Sequence, residues 1–268
     1  MGRKGDAGRQ GGERGDMGIV TMITDFGDSD WFVGAVKSAI LRVNPSCVIA
    51  DVTHSIPRHD VRYGAYVLAS VFRAFPPRTV HLAVVDPGVG SERLAIAAEI
   101  DGRYFVGPDN GLLSECLSTA TYARFVRLSI PLSASATFHA RDVFAPAAAR
   151  LSKGCRIHEL GEAVSSVMTF DIPYPQLVPE PGVVAGQVRH VDRFGNLITN
   201  LPNRLLELGP VYLQNRQLRK VSCYAEGGVR ELVVLPGSNG TAEIAVNGGN
   251  AQEISGATGG TEVRVAIN

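Results

Sequence analysis

Through the first part of the chain, short apolar runs alternate with longer stretches in which apolar positions recur every three or four residues. Gly18 to Thr24 is a β-branched run that stops at Asp25-Phe26-Gly27-Asp28, the pattern of a strand leaving into a polar turn. Phe32, Val36, Ala39, Ile40 and Val43 then fall at helical spacing, and Asn44-Pro45 ends the helix. Cys47 to Val52 predicts a second strand with a polar exit from Asp51 to His59, and Val61 to Phe75 predicts a helix stopped by Pro76-Pro77. A third strand runs from Val80 to Val85 with His81 inside it, and Ala123 to Ile130 predicts another. Ala136 to Ala149 reads as a turn feeding a helix that Asp142 caps. Strands alternating with helices imply an α/β domain whose sheet is mainly parallel, with right-handed crossovers.

The pattern changes after Ile172. Prolines recur at 173, 175, 179 and 181, a composition break that reads as a stiff linker. Beyond it come short β-like runs: Val183 to Val191, Val211 to Leu213, Leu218 to Val221, Glu231 to Leu235, Glu243 to Val246 and Val263 to Ile267. Gly and Asn turns separate them, which predicts an all-β module of sandwich or barrel type. The expected organisation is an α/β domain over 17–180 and a smaller all-β domain over 181–268. Residues 1–16 are rich in Gly and charge, lack an apolar core of a signal peptide, and are expected to be a disordered leader.

Composition narrows the function. Lys+Arg and Asp+Glu both number 26, so no net basic field exists to hold a nucleic acid or an anionic membrane. The apolar runs stop well short of the ~18 residues a membrane helix needs. A small-molecule partner and a cytoplasmic protein are expected. Cys47, Cys116, Cys155 and Cys223 form no C-x-x-C pair and read as buried free thiols rather than zinc ligands or disulfides.

Candidate chemistry concentrates at the strand exits, because ligands of parallel sheets bind outside the carboxyl ends of the strands. Asp25, His54, His59 and Asp86 all follow such ends and could share one rim. The stretch from Val84 to Asn110 is the densest. Asp86-Pro87-Gly88 ends a buried strand, Arg93 can fold back toward Asp86 across a Gly-Val-Gly turn, and Gly107 to Gly111 closes the next hairpin-like segment. Taken singly, these turns are also ordinary turn formers. His54 and His59 lack metal-ligand spacing and stay open between loop histidines and site residues. His139, bracketed by Phe138, Arg141 and Asp142, is a candidate base.

Seven motifs, in order, carry a resemblance. They are TDFG at 24–27, DVTHS at 51–55, VVDPGVGSER at 84–93, GPDNGLLS at 107–114, TFHARD at 137–142, FGNLITN at 194–200 and EIAVNGGNA at 243–251. Together they resemble the S-adenosyl-L-methionine hydroxide adenosyltransferase family, related to fluorinases and chlorinases. The resemblance implies hydrolysis of S-adenosyl-L-methionine to adenosine and L-methionine, a seven-stranded N-terminal sheet, a barrel-like C-terminal domain, and a homotrimer with sites between subunits. It implies a catalytic set of Asp86, Arg93 and His139, a ribose carboxylate at Asp25, and an adenine contact at Asn196 beside Phe194. Ser238 would receive the methionine end, and Val246 to Gly248 would lie along adenine. No metal or cofactor is expected. Ala140 stands where many relatives read glycine, which questions the local backbone angle. The halogenating relatives carry an uncharged residue where this chain has Asp86 and lack the Arg93 and His139 partners. The alternatives are a non-catalytic sensor of S-adenosyl-L-methionine or adenosine, and a 5′-halo-5′-deoxyadenosine synthase.

Overall fold

The computed structural model describes residues 18–178 and 182–267. The expected leader and the expected boundary at 180/181 lie outside the described residues. The chain divides into two compact units, the first ending at Phe170 and the second beginning at Asp171.

The first unit is built on a seven-stranded sheet in the order β2-β1-β3-β5-β4-β6-β7. Its strands are β1 (Ile19–Thr24), β2 (Val48–Thr53), β3 (Val80–Val84), β4 (Ala95–Ile100), β5 (Arg103–Pro108), β6 (Ala123–Leu128) and β7 (Gly161–Val164). The β2, β1, β3 and β5 neighbours pair in parallel, whereas β4 pairs antiparallel with both β5 and β6, and β7 pairs antiparallel with β6. The strands β1, β2, β3, β5 and β6 therefore point one way, and the sheet is mainly parallel. The helices are α1 (Phe32–Val43), α2 (Val61–Val71), α3 (Ser114–Ser118) and α4 (Ala145–Ser152).

Period-two alternation along the central strands explains the layering. Val20 and Met22 of β1 and Val80, Leu82 and Val84 of β3 join Val36 and Ile40 of α1 and the alanines of α4 in one core. Ile23 and Ala83, one residue out of phase, join Ala65 and Leu68 of α2 and Cys116 of α3 in a second. The continuous apolar runs thus mark strands covered on both faces.

Three expectations are corrected. The hairpin between β4 and β5 turns at Asp101-Gly102, both with positive φ (46° and 75°), whereas Gly107 to Gly111 carries the chain out of β5. Asp142 does not cap a helix. It lies inside a π-helical turn, Ala140–Phe144, and its carboxylate accepts from Ser135 N at 2.9 Å and from Arg141. Of the four free cysteines, Cys116 alone is buried, because the others sit at element ends or in the exposed turn before Tyr224.

His81 is a fully buried polar residue on β3. Its Nδ1 lies 2.8 Å from Thr21 Oγ1, and Phe72, Phe75 and Phe105 surround the ring. Burial, reinforced by the charge of Arg103, lowers its pKa to about 3. The folded protein therefore holds His81 neutral where an unfolded chain would protonate it near 6.5. Stability is complete above about pH 6.5 and lost as pH falls toward about 3, on the order of 3 kcal/mol by pH 4 at ~1.36 kcal/mol per unit. Urea unfolding of the parent and of His81→Leu at pH 7 and pH 4 checks this. The loss between the two pH values should shrink in the variant, and an equal loss in both would exclude His81 as its source.

The second unit is a closed barrel. Its strands are β8 (Gln176–Leu177), β9 (Val183–Val191), β10 (Leu197–Pro202), β11 (Val211–Leu213), β12 (Arg216–Lys220), β13 (Val233–Pro236), β14 (Thr241–Ala245) and β15 (Glu262–Ala266). Pairing runs β9-β10-β14-β13-β12-β11-β15 and returns to β9, so closure leaves no free edge in this ring of seven, and β8 lies beside β9. Val188, Leu197, Leu201, Ala242, Ile244, Val263 and Val265 fill the interior. A short helix, α5 (Ala251–Ser255), is capped by the Asn250 side chain and ends at Gly256 with φ 68°. Among the described residues, no helix is long and apolar enough to cross a membrane.

Candidate active site

Because β1, β2 and β3 are parallel neighbours, the loops leaving them open at one edge of the sheet. There they border a cleft of about 770 Å³ lined by Asp25, His54, His59 and Asp86, as strand order predicts. His139 joins them from the segment entering the π-helical turn, and Phe26, Phe32 and Phe138 supply an apolar wall. Phe138 contacts Phe26 and Phe32 edge-on at 6.2 and 5.5 Å between ring centroids.

The loop carrying Asp86 and Arg93 is tightly wound. Val89 N–H donates to Asp86 O and Ser91 N–H to Gly88 O. Gly90 has φ 78°, and a Cβ there would stand 2.5 Å from the Ala136 carbonyl. Glycine is therefore what lets this loop lie against the segment that leads to His139. Across the loop Arg93 Nε donates to Asp86 Oδ1 at 3.0 Å and Nη2 to Asp86 Oδ2, a bidentate pair. Nη2 also lies 3.0 Å from His139 Nδ1. Both members of the ion pair are almost wholly buried, and the guanidinium carbon sits 5.2 Å from the centroid of the Phe144 ring.

Asp86 and His139 line the cleft, whereas Arg93 stands behind them. A guanidinium has donors and no acceptor, so His139 Nδ1 must accept, which places the proton of the neutral ring on Nε2. Burial, then the charge of Arg93, lowers the pKa of His139, with Asp86 and Asp142 opposing. The cleft is thus offered a carboxylate acceptor and an imidazole N–H donor side by side. Ala140 begins the π-helical turn, and no positive φ is found there, so alanine fits the backbone without strain.

Asp25 is held from beneath. Its Oδ2 accepts the N–H of His59, which adopts a left-handed conformation with φ 65°. His54 is buried and structural: Nδ1 meets Thr24 Oγ1 at 2.9 Å, Nε2 lies 3.2 Å from Asp51 Oδ1, and its carbonyl accepts Gly27 N–H at 2.8 Å. These contacts tie the first two strand exits together. Neither histidine role was readable from spacing. Among the described residues, no group of three His, Cys, Asp or Glu is placed to hold a metal ion.

The remaining candidates belong to the second unit. Asn196 is buried and its Nδ2 donates to Asp192 Oδ2 at 3.0 Å, while neighbouring Phe194 is 74% exposed. Since Leu197 pairs with Ile244, the turn holding Phe194 and Asn196 meets the Val246 to Gly248 turn at one end of the barrel. Val246 is buried and Gly248 has φ 63°. Ser238 is exposed in the turn before Thr241, so it lies at the other end of β14.

Comparison with known proteins completes the picture. The SAM hydroxide adenosyltransferase N-terminal domain matches residues 20–161, and the corresponding C-terminal domain matches residues 186–264. The chain belongs to the SAM hydroxide adenosyltransferase family. Within it, the chain is 40% identical to the (R)-S-adenosyl-L-methionine hydrolase of Salinispora tropica, over 92% of this chain and 97% of that one. A fluorinase from an Actinoplanes species is 29% identical over 75% of this chain and 77% of its own length. The crystal structure of an uncharacterized conserved protein from Thermotoga maritima superposes with a TM-score of 0.85 at 34% identity, covering 92% of this chain and 99% of that one.

Proposed function

We propose that the protein hydrolyses S-adenosyl-L-methionine to adenosine and L-methionine. The observation that carries this reading is the Asp86, Arg93 and His139 constellation at the strand mouths, in a chain that resembles proteins named for that activity. Water attacks C5′ in line, the C5′–S bond breaks, and its electron pair stays on sulfur. The sulfonium becomes a neutral thioether, so the leaving group takes no proton.

The difficulty lies with the nucleophile. Hydroxide at pH 7 is scarce by roughly 12 kcal/mol, taking about 15.7 for the pKa of water and ~1.36 kcal/mol per unit. Asp86, held by Arg93, accepts one proton of the water, and His139 Nε2–H donates to the same oxygen and aims its remaining lone pair at C5′. Arg93 touches neither reactant and works as the positioning residue for both. The scheme draws on no metal or cofactor. Asp25 accepts the ribose hydroxyls, while Phe194, Asn196, Val246 and Gly248 meet adenine and Ser238 the methionine end. A homotrimer with sites between subunits belongs to the same proposal, as does a cytoplasmic setting, to which the four unpaired thiols are suited.

Incubation with S-adenosyl-L-methionine, followed by chromatography, should give adenosine and methionine in equal amounts. Tight binding without either product would instead favour a sensor. Asp25→Ala should weaken substrate binding by up to ~3 kcal/mol, the scale of hydrogen bonds to a charged group. Calorimetry with a 2′,3′-dideoxy analogue checks the assignment: if the parent binds the analogue as tightly as the natural nucleoside, Asp25 does not read the ribose.

A further inference from the structure

The polar turn Gly107 to Gly111 contributes no side chain to the cleft. It nevertheless grips the loop that holds the ion pair. Asp86 stands one residue inside that loop from Val85, and Arg93 one residue inside it from Leu94. Asn110 Nδ2 donates to the Val85 carbonyl at 2.8 Å, and the Asp109 N–H donates to the Leu94 carbonyl at 2.9 Å. The same Leu94 carbonyl receives Arg93 Nη1 at 3.4 Å. Two adjacent residues thus clamp both feet of the loop.

The clamp is specific to an amide. Asn110 Oδ1 accepts from Leu112 N–H at 3.3 Å while Nδ2 donates to Val85, so the position needs an acceptor and a donor on one short side chain. Val85 is fully buried, and its carbonyl would otherwise lose a hydrogen bond that solvent cannot replace. The turn itself is locked: Gly111 has φ 96°, and a Cβ there would stand 2.7 Å from the Phe170 ring. We infer that Asn110 is a positioning residue for the reaction, setting where Asp86 points through the Val85 carbonyl.

This inference rests on the hydrolase reading, and its test separates the two. Asn110→Asp keeps the shape but loses the donor, and Asn110→Ala, which removes donor and acceptor together, serves if that variant does not fold. Turnover per folded molecule should fall at least about tenfold with substrate affinity within about threefold. In an Asp86→Ala background the same substitution should lower turnover no further, an outcome a general loss of stability would not produce. In parallel, ¹⁵N NMR follows the His139 ring across pH, a readout that needs no turnover. The His139 pKa should rise in the variant, because a displaced Arg93 no longer donates to Nδ1. An inactive parent whose His139 titration still moves in the variant would discard the hydrolase reading and keep the positioning role. A folded variant with unchanged turnover and an unmoved titration would overturn the role of Asn110.

Discussion

Asp86→Ala is expected to lower turnover by about 10²–10⁴-fold, the range for loss of a positioned general base, while leaving substrate affinity within a few-fold. The carboxylate faces the cleft at a strand mouth and both of its oxygens are held by Arg93. In the proposed scheme it takes a proton from water without first reorganising and meets the nucleophile rather than the nucleoside. Arg93→Ala should cost a similar factor by a different route, since it leaves a nearly buried carboxylate unpaired and releases His139 Nδ1 at once. Because the groups serve one water molecule, the double variant should lose little beyond either single one. Single-turnover kinetics beside calorimetric binding separates the terms. Parallel losses of affinity in both variants would move the pair from activating water to holding substrate.

His139 should impose an acid limb on the rate. The neutral ring accepts from Arg93 at Nδ1 and keeps its proton on Nε2. Protonation puts an N–H on Nδ1, directly facing a guanidinium N–H, and drives the ring away from the position from which it orients water. Burial and the charge of Arg93 lower the pKa of His139, so the rate should stay flat through neutrality and fall only below the usual histidine value near 6.5. His139→Ala should reduce turnover by about ten- to a hundredfold and abolish that limb. Rates measured from pH 4 to 8 in parent and variant check the sign. A rate that rises as the histidine gains its proton would make His139 a general acid and refute the assigned tautomer.

The parts of the fold legible in the sequence were those whose local pattern agreed with their tertiary setting. The helix from Phe32 to Val43 and the strand from Val183 to Val191 were read to the residue, because spacing and stop signals coincide there. Strands β4 and β5 lie in a stretch dominated by turn signals, and β10 overlaps the polar FGNLITN segment, so none of the three stands out as a separate apolar run. Short apolar runs do not by themselves announce direction, so the antiparallel β4 was invisible beside its parallel neighbours. That Asp25 and Asp86 share one cleft was legible because strand ends point to a rim. The tautomer of His139 and the clamp by Asn110 depend on contacts between residues 46 and 25 positions apart, or on hydrogen-bond direction, which spacing does not encode.

The central claim is that the nucleophile is water and not a halide, although fluorinases are relatives. A carboxylate beside the attacking atom repels an anion by about 4 kcal/mol at 4 Å and an effective dielectric of 20, whereas it accepts a hydrogen bond from water. Single-turnover reaction of S-adenosyl-L-methionine in ¹⁸O-labelled water, with chloride present in excess, tests this directly by mass spectrometry of the nucleoside. The account predicts adenosine labelled at its 5′-oxygen and almost no 5′-chloro-5′-deoxyadenosine, and unlabelled adenosine or a predominant chlorinated product would contradict it.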